Sequence, residues 1–256
     1  MADVLVLCYH AVADGWPSPL AVRADELERQ LRLLVRRGYR GTTFERSATA
    51  PPAARTLAVT FDDGYRSVLT RALPVLERLG LPATVFVATN FVGSDRPMTW
   101  PGIEHWIGTE YEAELAPMSW DELGLLREEG WEIGSHTCSH ARLSTLDDLA
   151  LERELRDSRA VCEERVGECR ALALPYGDGD ARIPAAARQA GYTAVAGLPG
   201  RAGLAVGVPR VGVYPRDRNW RFRLKVARPV RRTRSGLASA LALAARMREA
   251  SARDER

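Results

Sequence analysis

Lysine is almost missing from this chain: Lys225 is the only one, and arginine carries the rest of the positive charge. That bias reads as codon usage rather than function. Neither sign of charge is in real excess. A net charge of +3 over 256 residues is too small to argue for nucleic acid. No apolar run is long enough to span a membrane. No basic segment precedes Val4-Leu5-Val6-Leu7, and that run is too short for the core of a secretion signal, so the expected location is the cytoplasm. The cysteines are Cys8, Cys138, Cys162 and Cys169, with no zinc-knuckle spacing, which fits a reducing compartment. Cys138 is expected to be a small packing residue. No internal repeat is present. What remains is ordinary for a globular protein, 46% hydrophobic and 27% charged, at a length that suits one α/β domain.

One stretch stands out against that background. Leu57-Ala58-Val59 leads straight into Thr60-Phe61-Asp62-Asp63-Gly64-Tyr65. The order reads as a buried strand delivering two acids to its C-terminal end. Gly64 permits a sharp turn, and a helical pattern begins at Arg66. Neighbouring strand side chains point to opposite sides. Asp62 and Asp63 therefore face different partners, and one can hold a metal while the other moves protons. Taken alone, the stretch is better explained as an Asp-Asp-Gly turn before a helix N-terminus, which welcomes negative charge. A second stretch reverses that balance. Trp131-Glu132-Ile133-Gly134-Ser135-His136-Thr137-Cys138-Ser139-His140 holds two of the four histidines, four residues apart, again after a short strand. One carboxylate with two imidazoles is a common divalent-metal set that leaves positions open for water and substrate.

These two stretches resemble the first two motifs of the polysaccharide deacetylases, carbohydrate esterase family four. The resemblance covers about residues 1–215. It implies an α/β fold, a distorted (β/α) barrel of about seven strands, with residues 216–256 as a basic, Ala/Leu-rich extension. It implies that Asp62 is the catalytic base and that Asp63, His136 and His140 bind a divalent metal. Zinc is the first expectation; cobalt, nickel, manganese and iron accept the same ligands. The family's Leu-x-x-His motif usually lies near the C-terminus, but here Leu7-Cys8-Tyr9-His10 matches it at the other end. That resembles the circularly permuted poly-N-acetylglucosamine deacetylases, and it makes His10 the expected general acid. Pro175-Tyr176 resembles part of the third motif, whose backbone N–H at the tyrosine position helps bind the oxyanion, a role Tyr176 would inherit. The arginine of that motif, which orients the catalytic Asp, is absent; Ala173 stands in its place. Arg210 is the candidate to bring the charge from another strand, and is counted with Trp100 and Trp106 on the substrate side. The fourth motif, an Asp-Trp pair, is not recognisable in Thr193-Ala194-Val195-Ala196.

Strands are expected at 4–9, 83–88, 170–174 and 192–196. Helices are expected at 24–37, at 66–79 with either a kink or the start of a shorter second piece at Pro74, at 120–129 with Ser119 and Glu122 as a capping box, from Thr145 to Val166, and at 183–189. Residues 42–54 read as a loop or weak strand. Residues 90–117 are irregular, and Trp100 and Trp106 there either stack a sugar or simply bury the loop. His105 is expected on the surface. From 216 to 234 nine cations face the single acid Asp217, before an Ala/Leu-rich helix at 235–248. Contact with an anionic membrane surface stands there beside the plainer reading of a solvated extension.

The expected reaction is metal-dependent removal of an N-acetyl group from an amino sugar. An O-acetyl esterase or a non-sugar amidase would use the same residues. A saccharide-binding protein without catalysis is the alternative of another class.

Overall fold

The computed structural model describes residues 3–51, 54–197 and 207–231. Its centre is a ring of parallel strands. These are β1 (Asp3–Tyr9), β2 (Arg55–Phe61), β3 (Thr84–Val87), β4 (Glu132–Ser135), β5 (Ala171–Ala173) and β6 (Ala194–Gly197), each hydrogen-bonded to the next. The seam is spanned by β7, two short pieces, Val208–Pro209 and Val211–Gly212, with Arg210 between them. The first piece pairs with β6 and the second with β1, so both ends of the sheet meet at this segment. Seven staves is the expected number. Parallel strands buried on both faces need apolar residues throughout, and that is why these segments are legible as continuous hydrophobic runs.

Alternation sorts the side chains into two cores. Leu5, Leu7, Leu57, Val59, Val85, Ile133 and Leu172 face outward to the helices. Val6, Ala58, Phe86, Ala171, Ala173, Ala194 and Ala196 face the ring interior, which Phe44 also joins. The interior is lined mostly by alanine, and this leaves room for one large side chain. Gly134 is required there because a Cβ would lie 2.6 Å from the Phe86 ring.

The helices follow their sequence signals with two corrections. Ala24–Arg36 buries Leu27, Leu31 and Leu34 completely, each contributing roughly 1.5–3 kcal/mol relative to exposure. Trp120–Glu128 carries the expected capping box between Ser119 and Glu122. The first correction is that the long helix runs Asp148–Val166, not from Thr145. Asp147 caps it by accepting from the Ala150 N–H, and Leu143–Thr145 is a separate short turn. Second, within 42–51, expected as part of a loop or weak strand, Phe44–Thr49 is helical, and Arg40–Thr42 just ahead of it pairs with β2. The break expected at Pro74 is present: a π-helical stretch, Val68–Ala72, gives way to a shorter helix, Leu73–Leu79. A proline lacks the N–H that would bond to the previous turn, and the wider turn absorbs that loss.

The described part of the extension packs on the barrel. Phe222 and Val226 are buried, Asp217 pairs with Lys225, and Arg231 reaches Asp3 and the Val4 carbonyl. Trp220 and Leu224 are exposed. The helix expected at 235–248 lies outside the described residues. Among the described residues, no helix is long and apolar enough to cross a membrane.

Candidate active site

The C-terminal ends of the strands, where barrels of this kind build their sites, gather the expected residues. β2 runs into Asp62, whose N–H continues the ladder to the Tyr9 carbonyl. The chain then turns through Asp63 (φ 77°) and Gly64 (φ 82°). Gly64 also passes so close to Val87 that a side chain there would meet it at 3.0 Å. β4 delivers His136, and the loop behind it returns His140. Thr137, His140 and Tyr176 share the left-handed backbone of Asp63, at φ 70°, 60° and 59°. Such conformations cost non-glycine residues on the order of 1–2 kcal/mol each. Four of the five non-glycine cases among the described residues fall in these loops, a concentration typical of functional sites.

The histidine loop is held from behind. Glu154, on the long helix, accepts from the Cys138 and Ser139 N–H groups at 2.8 and 3.0 Å and from the Ser139 hydroxyl at 2.6 Å. The Ser135 hydroxyl meets Ser158 at 2.8 Å. Nothing in the sequence marked Glu154, since its partners, two backbone N–H groups and one hydroxyl, are brought near only by the fold.

Asp63, His136 and His140 converge. Asp63 Oδ1 lies 3.4 Å from His136 Nε2 and 3.3 Å from His140 Nε2, and all three side chains are buried. His136 Nδ1 donates to the Ala173 carbonyl at 2.9 Å. That bond makes Nδ1 the donor, so Nε2 is the nitrogen that faces Asp63: it donates to the carboxylate when the ring is charged and can ligate a metal when the ring is neutral. His140 is oriented differently, by stacking on Trp100 at 4.1 Å and meeting the edge of Tyr176 at 4.7 Å. Burial opposes charge on Asp63, but hydrogen bonds from both imidazoles outweigh it and hold the carboxyl far below its usual range. Burial also drives the His140 pKa down, which favours the neutral imidazole that ligates. A carboxylate and two imidazoles whose ligand atoms all lie within 4.8 Å of one another fit a divalent cation of the zinc, cobalt, nickel, manganese or iron type.

Asp62, next to Asp63 in the chain, belongs to a second group with Cys8 and His10. Arg210 clamps it, Nη1 to Oδ1 at 2.6 Å and Nη2 to Oδ2 at 2.8 Å, while Nη1 also donates to the Thr60 hydroxyl at 3.0 Å. Cys8 Sγ lies 3.4 Å from Oδ2 and completes the shell. The guanidinium has no exposed surface. Arg210 therefore lies behind the acid and offers no face to a substrate, which corrects its placement on the substrate side. Its guanidinium carbon lies 5.4 Å from the centre of the Phe86 ring, one of the side chains of the ring interior. Burial works to raise the Asp62 pKa, and the Arg210 charge overrides it, so the carboxyl stays below its ordinary value.

His10 follows β1, with a ring nitrogen within 4.8 Å of the Asp62 carboxylate and of Cys8 Sγ. Tyr214 stacks on it at 6.4 Å. Tyr176 sits at the end of β5; its ring lies beneath the Arg142 guanidinium and its hydroxyl donates to the Pro101 carbonyl. Trp100 is only 7% exposed, wedged between Phe91 and His140, so it forms a wall of the histidine cluster. Trp106 packs edge-on against Trp16 and Tyr111. His105 is exposed, as expected.

Comparison with known proteins gives the family and the fold. YxkH of Bacillus subtilis, which carries the polysaccharide deacetylase name, is 26% identical over 197 residues, 75% of this chain. The aligned part spans 63% of that relative's length. IcaB from Ammonifex degensii is 27% identical and superposes with a TM-score of 0.68, covering 89% of this chain and 98% of that one. PplD of Streptococcus pyogenes, solved in complex with acetate, shares the fold at 19% identity, with a TM-score of 0.71 over 88% of this chain and 98% of that one. The family model described as polysaccharide deacetylase matches residues 49–195. That span is more than half of the chain and includes Asp62, Asp63, His136, His140 and Tyr176: the chain belongs to the polysaccharide deacetylase family.

Proposed function

We propose that this chain is a metal-dependent hydrolase that removes N-acetyl groups from an amino-sugar substrate. The observation that carries the reading is the division of labour between neighbouring acids. Asp63 is turned to two imidazoles, and Asp62 is held ionised and unligated beside it by Arg210. A binding protein has no use for that second, clamped carboxylate.

A divalent cation on Asp63, His136 and His140, with zinc as our first choice, supplies Lewis acidity: it lowers the pKa of a water and polarises the acetyl carbonyl. Asp62 accepts the proton of the attacking water. Its clamp makes it a weak base but fixes its position, and positioning is what general-base catalysis needs first. The Tyr176 backbone N–H donates to the developing oxyanion, and one such pre-aimed donor is worth about 3 kcal/mol. His10, on the other side of Asp62, gives its proton to the departing amine. An amide needs that step because an unprotonated amine leaves poorly; an activated ester does not.

The test is acetate release from N-acetylglucosamine oligomers, run beside acetylated xylan, with metal content measured on the same protein. Asp62→Asn should keep its metal and lose about 10³-fold in turnover. His10→Gln should slow amide cleavage more than cleavage of an activated acetate ester. Wild-type turnover in Asp62→Asn would sink the reading. So would protein that releases no acetate from the oligomers when loaded with any of the five metals.

A further inference from the structure

Two arginines at the rim of this site have no acidic partner among the described residues. Arg142, two residues past His140, is exposed and lies 4.0 Å from the centre of the Tyr176 ring, whose edge meets His140. Arg216 is exposed and lies 5.7 Å from the centre of the Tyr214 ring, which stacks on His10. Each is therefore one aromatic ring removed from a histidine of the site. They follow β4 and β7, on either side of the β5–β6 arc of the ring.

Several other arginines that follow the strand ends are matched by acids. Arg66 is matched by Glu122, Arg71 by Glu114 and Arg182 by Asp180 and Asp148. Acids near the rim are already engaged. Asp178 accepts from Ser144, Asp217 from Lys225 and the Tyr214 N–H, and Glu104 from the Gly102 N–H. Lying over an aromatic face holds a guanidinium in place and reduces the entropy lost when it binds. An arginine fork held this way matches the oxygens of a carboxylate or phosphate.

We propose that the substrate carries an anionic group, carboxylate or phosphate, near the acetamide it presents, and that Arg142 and Arg216 select for it. This rests on the deacetylase reading above and names the substrate class. Neutral N-acetylated sugars then lack half of what the rim offers. A product whose freed amine is cationic is repelled by the same two charges, which assists its release.

The test compares acetate release from three N-acetylglucosamine substrates in low salt: a neutral oligomer, a sugar phosphate ester, and an oligomer bearing a carboxylate. The wild type should favour at least one anionic substrate about tenfold in kcat/KM, chiefly through KM, and the phosphate and carboxylate arms identify the source. Arg142→Gln/Arg216→Gln should collapse that ratio toward one, Arg142→Lys should keep most of it, and 0.5 M salt should erase it. Glu104→Gln should widen it. A merely structural role would lower all three substrates alike, and that outcome, or a wild type that treats the neutral oligomer as well as both anions, overturns the proposal. Absence of acetate from every substrate is a different failure: it removes the deacetylase reading, and this inference with it.

Discussion

The barrel is pinned by an Asp–Arg pair at each end, and the two pairs are not equivalent. At the catalytic end Asp62 and Arg210 are 3% and 0% exposed, and the arginine makes a two-point clamp. At the opposite end Asp3, where β1 starts, receives Arg231 and the Tyr39 hydroxyl at 12% and 15% exposure for the acid and the arginine. The first ties β2 to the segment that spans the seam, and the second ties the start of β1 to the C-terminal extension. The difference lies in water. Removing one partner from the dry pair strands a charge, whereas the wetter pair can recruit solvent. A fold that needed only a staple would have no reason to pay for the dry version. The buried pair therefore reads as a reaction component that also holds the seam.

The largest effect should follow from breaking the dry pair. Arg210→Ala leaves Asp62 buried and uncompensated, and should cost about 3–5 kcal/mol in urea unfolding. Acetate release should fall by at least about 100-fold, since the base loses its fixed position. Arg210→Lys restores a point charge but not the fork, so activity should stay well below wild type. The double variant Asp62→Leu/Arg210→Met separates the two roles. It should recover most of the stability and none of the activity. If Arg210→Ala instead turns over at the wild-type rate, the pair is only a staple.

How much of this was legible beforehand differs between the two ends. Asp62, Asp63, His136 and His140 are readable because their chemistry is local: short motifs at strand ends, with spacings that force convergence. The Ser119 capping box is local in the same way. Arg210 was reachable only by elimination, from Ala173 standing where the family has arginine. The clamp's third member, Cys8, carries no signal at all, because its partner is 54 residues away and only strand register aligns them. β7 escapes for a related reason: two-residue strands have no periodicity to read. The helix Phe44–Thr49 was missed because six residues hold less than two turns, and its stability comes from Phe44 entering the ring interior. At the lower end, the Asp3–Arg231 contact joins residues 228 positions apart and is invisible in sequence.

A smaller effect should come from the lower pair, and its sign depends on pH. The Asp3 carboxyl is held below its ordinary pKa: burial pushes it up, but Tyr39 and Arg231 outweigh that. A depressed carboxyl contributes stability that is fully present above the unfolded value of about 3.9 and is lost as pH falls through the lower folded value. Asp3→Asn should therefore destabilise by about 1 kcal/mol at pH 7, and the gap from wild type should close as pH drops below about 4. Urea unfolding at pH 7 and pH 3 reads both points. Acetate release per folded molecule should stay within about twofold of wild type at pH 7, because Asp3 lies at the far end of β1 from His10.

The smallest effect calibrates the other two. Arg156 and Glu152 pair across one helical turn at 3.3 Å, with side chains 57% and 61% exposed. Glu152→Gln should cost only about 0.3 kcal/mol, and that difference should vanish in 1 M salt, where charges more than about 3 Å apart are screened. Burial, not distance, then orders the series, since the N–O separations of the three pairs differ by less than 1 Å. A Glu152→Gln loss as large as that of Arg210→Ala would break this ordering, and with it the argument that the Asp62 clamp is held dry for chemistry.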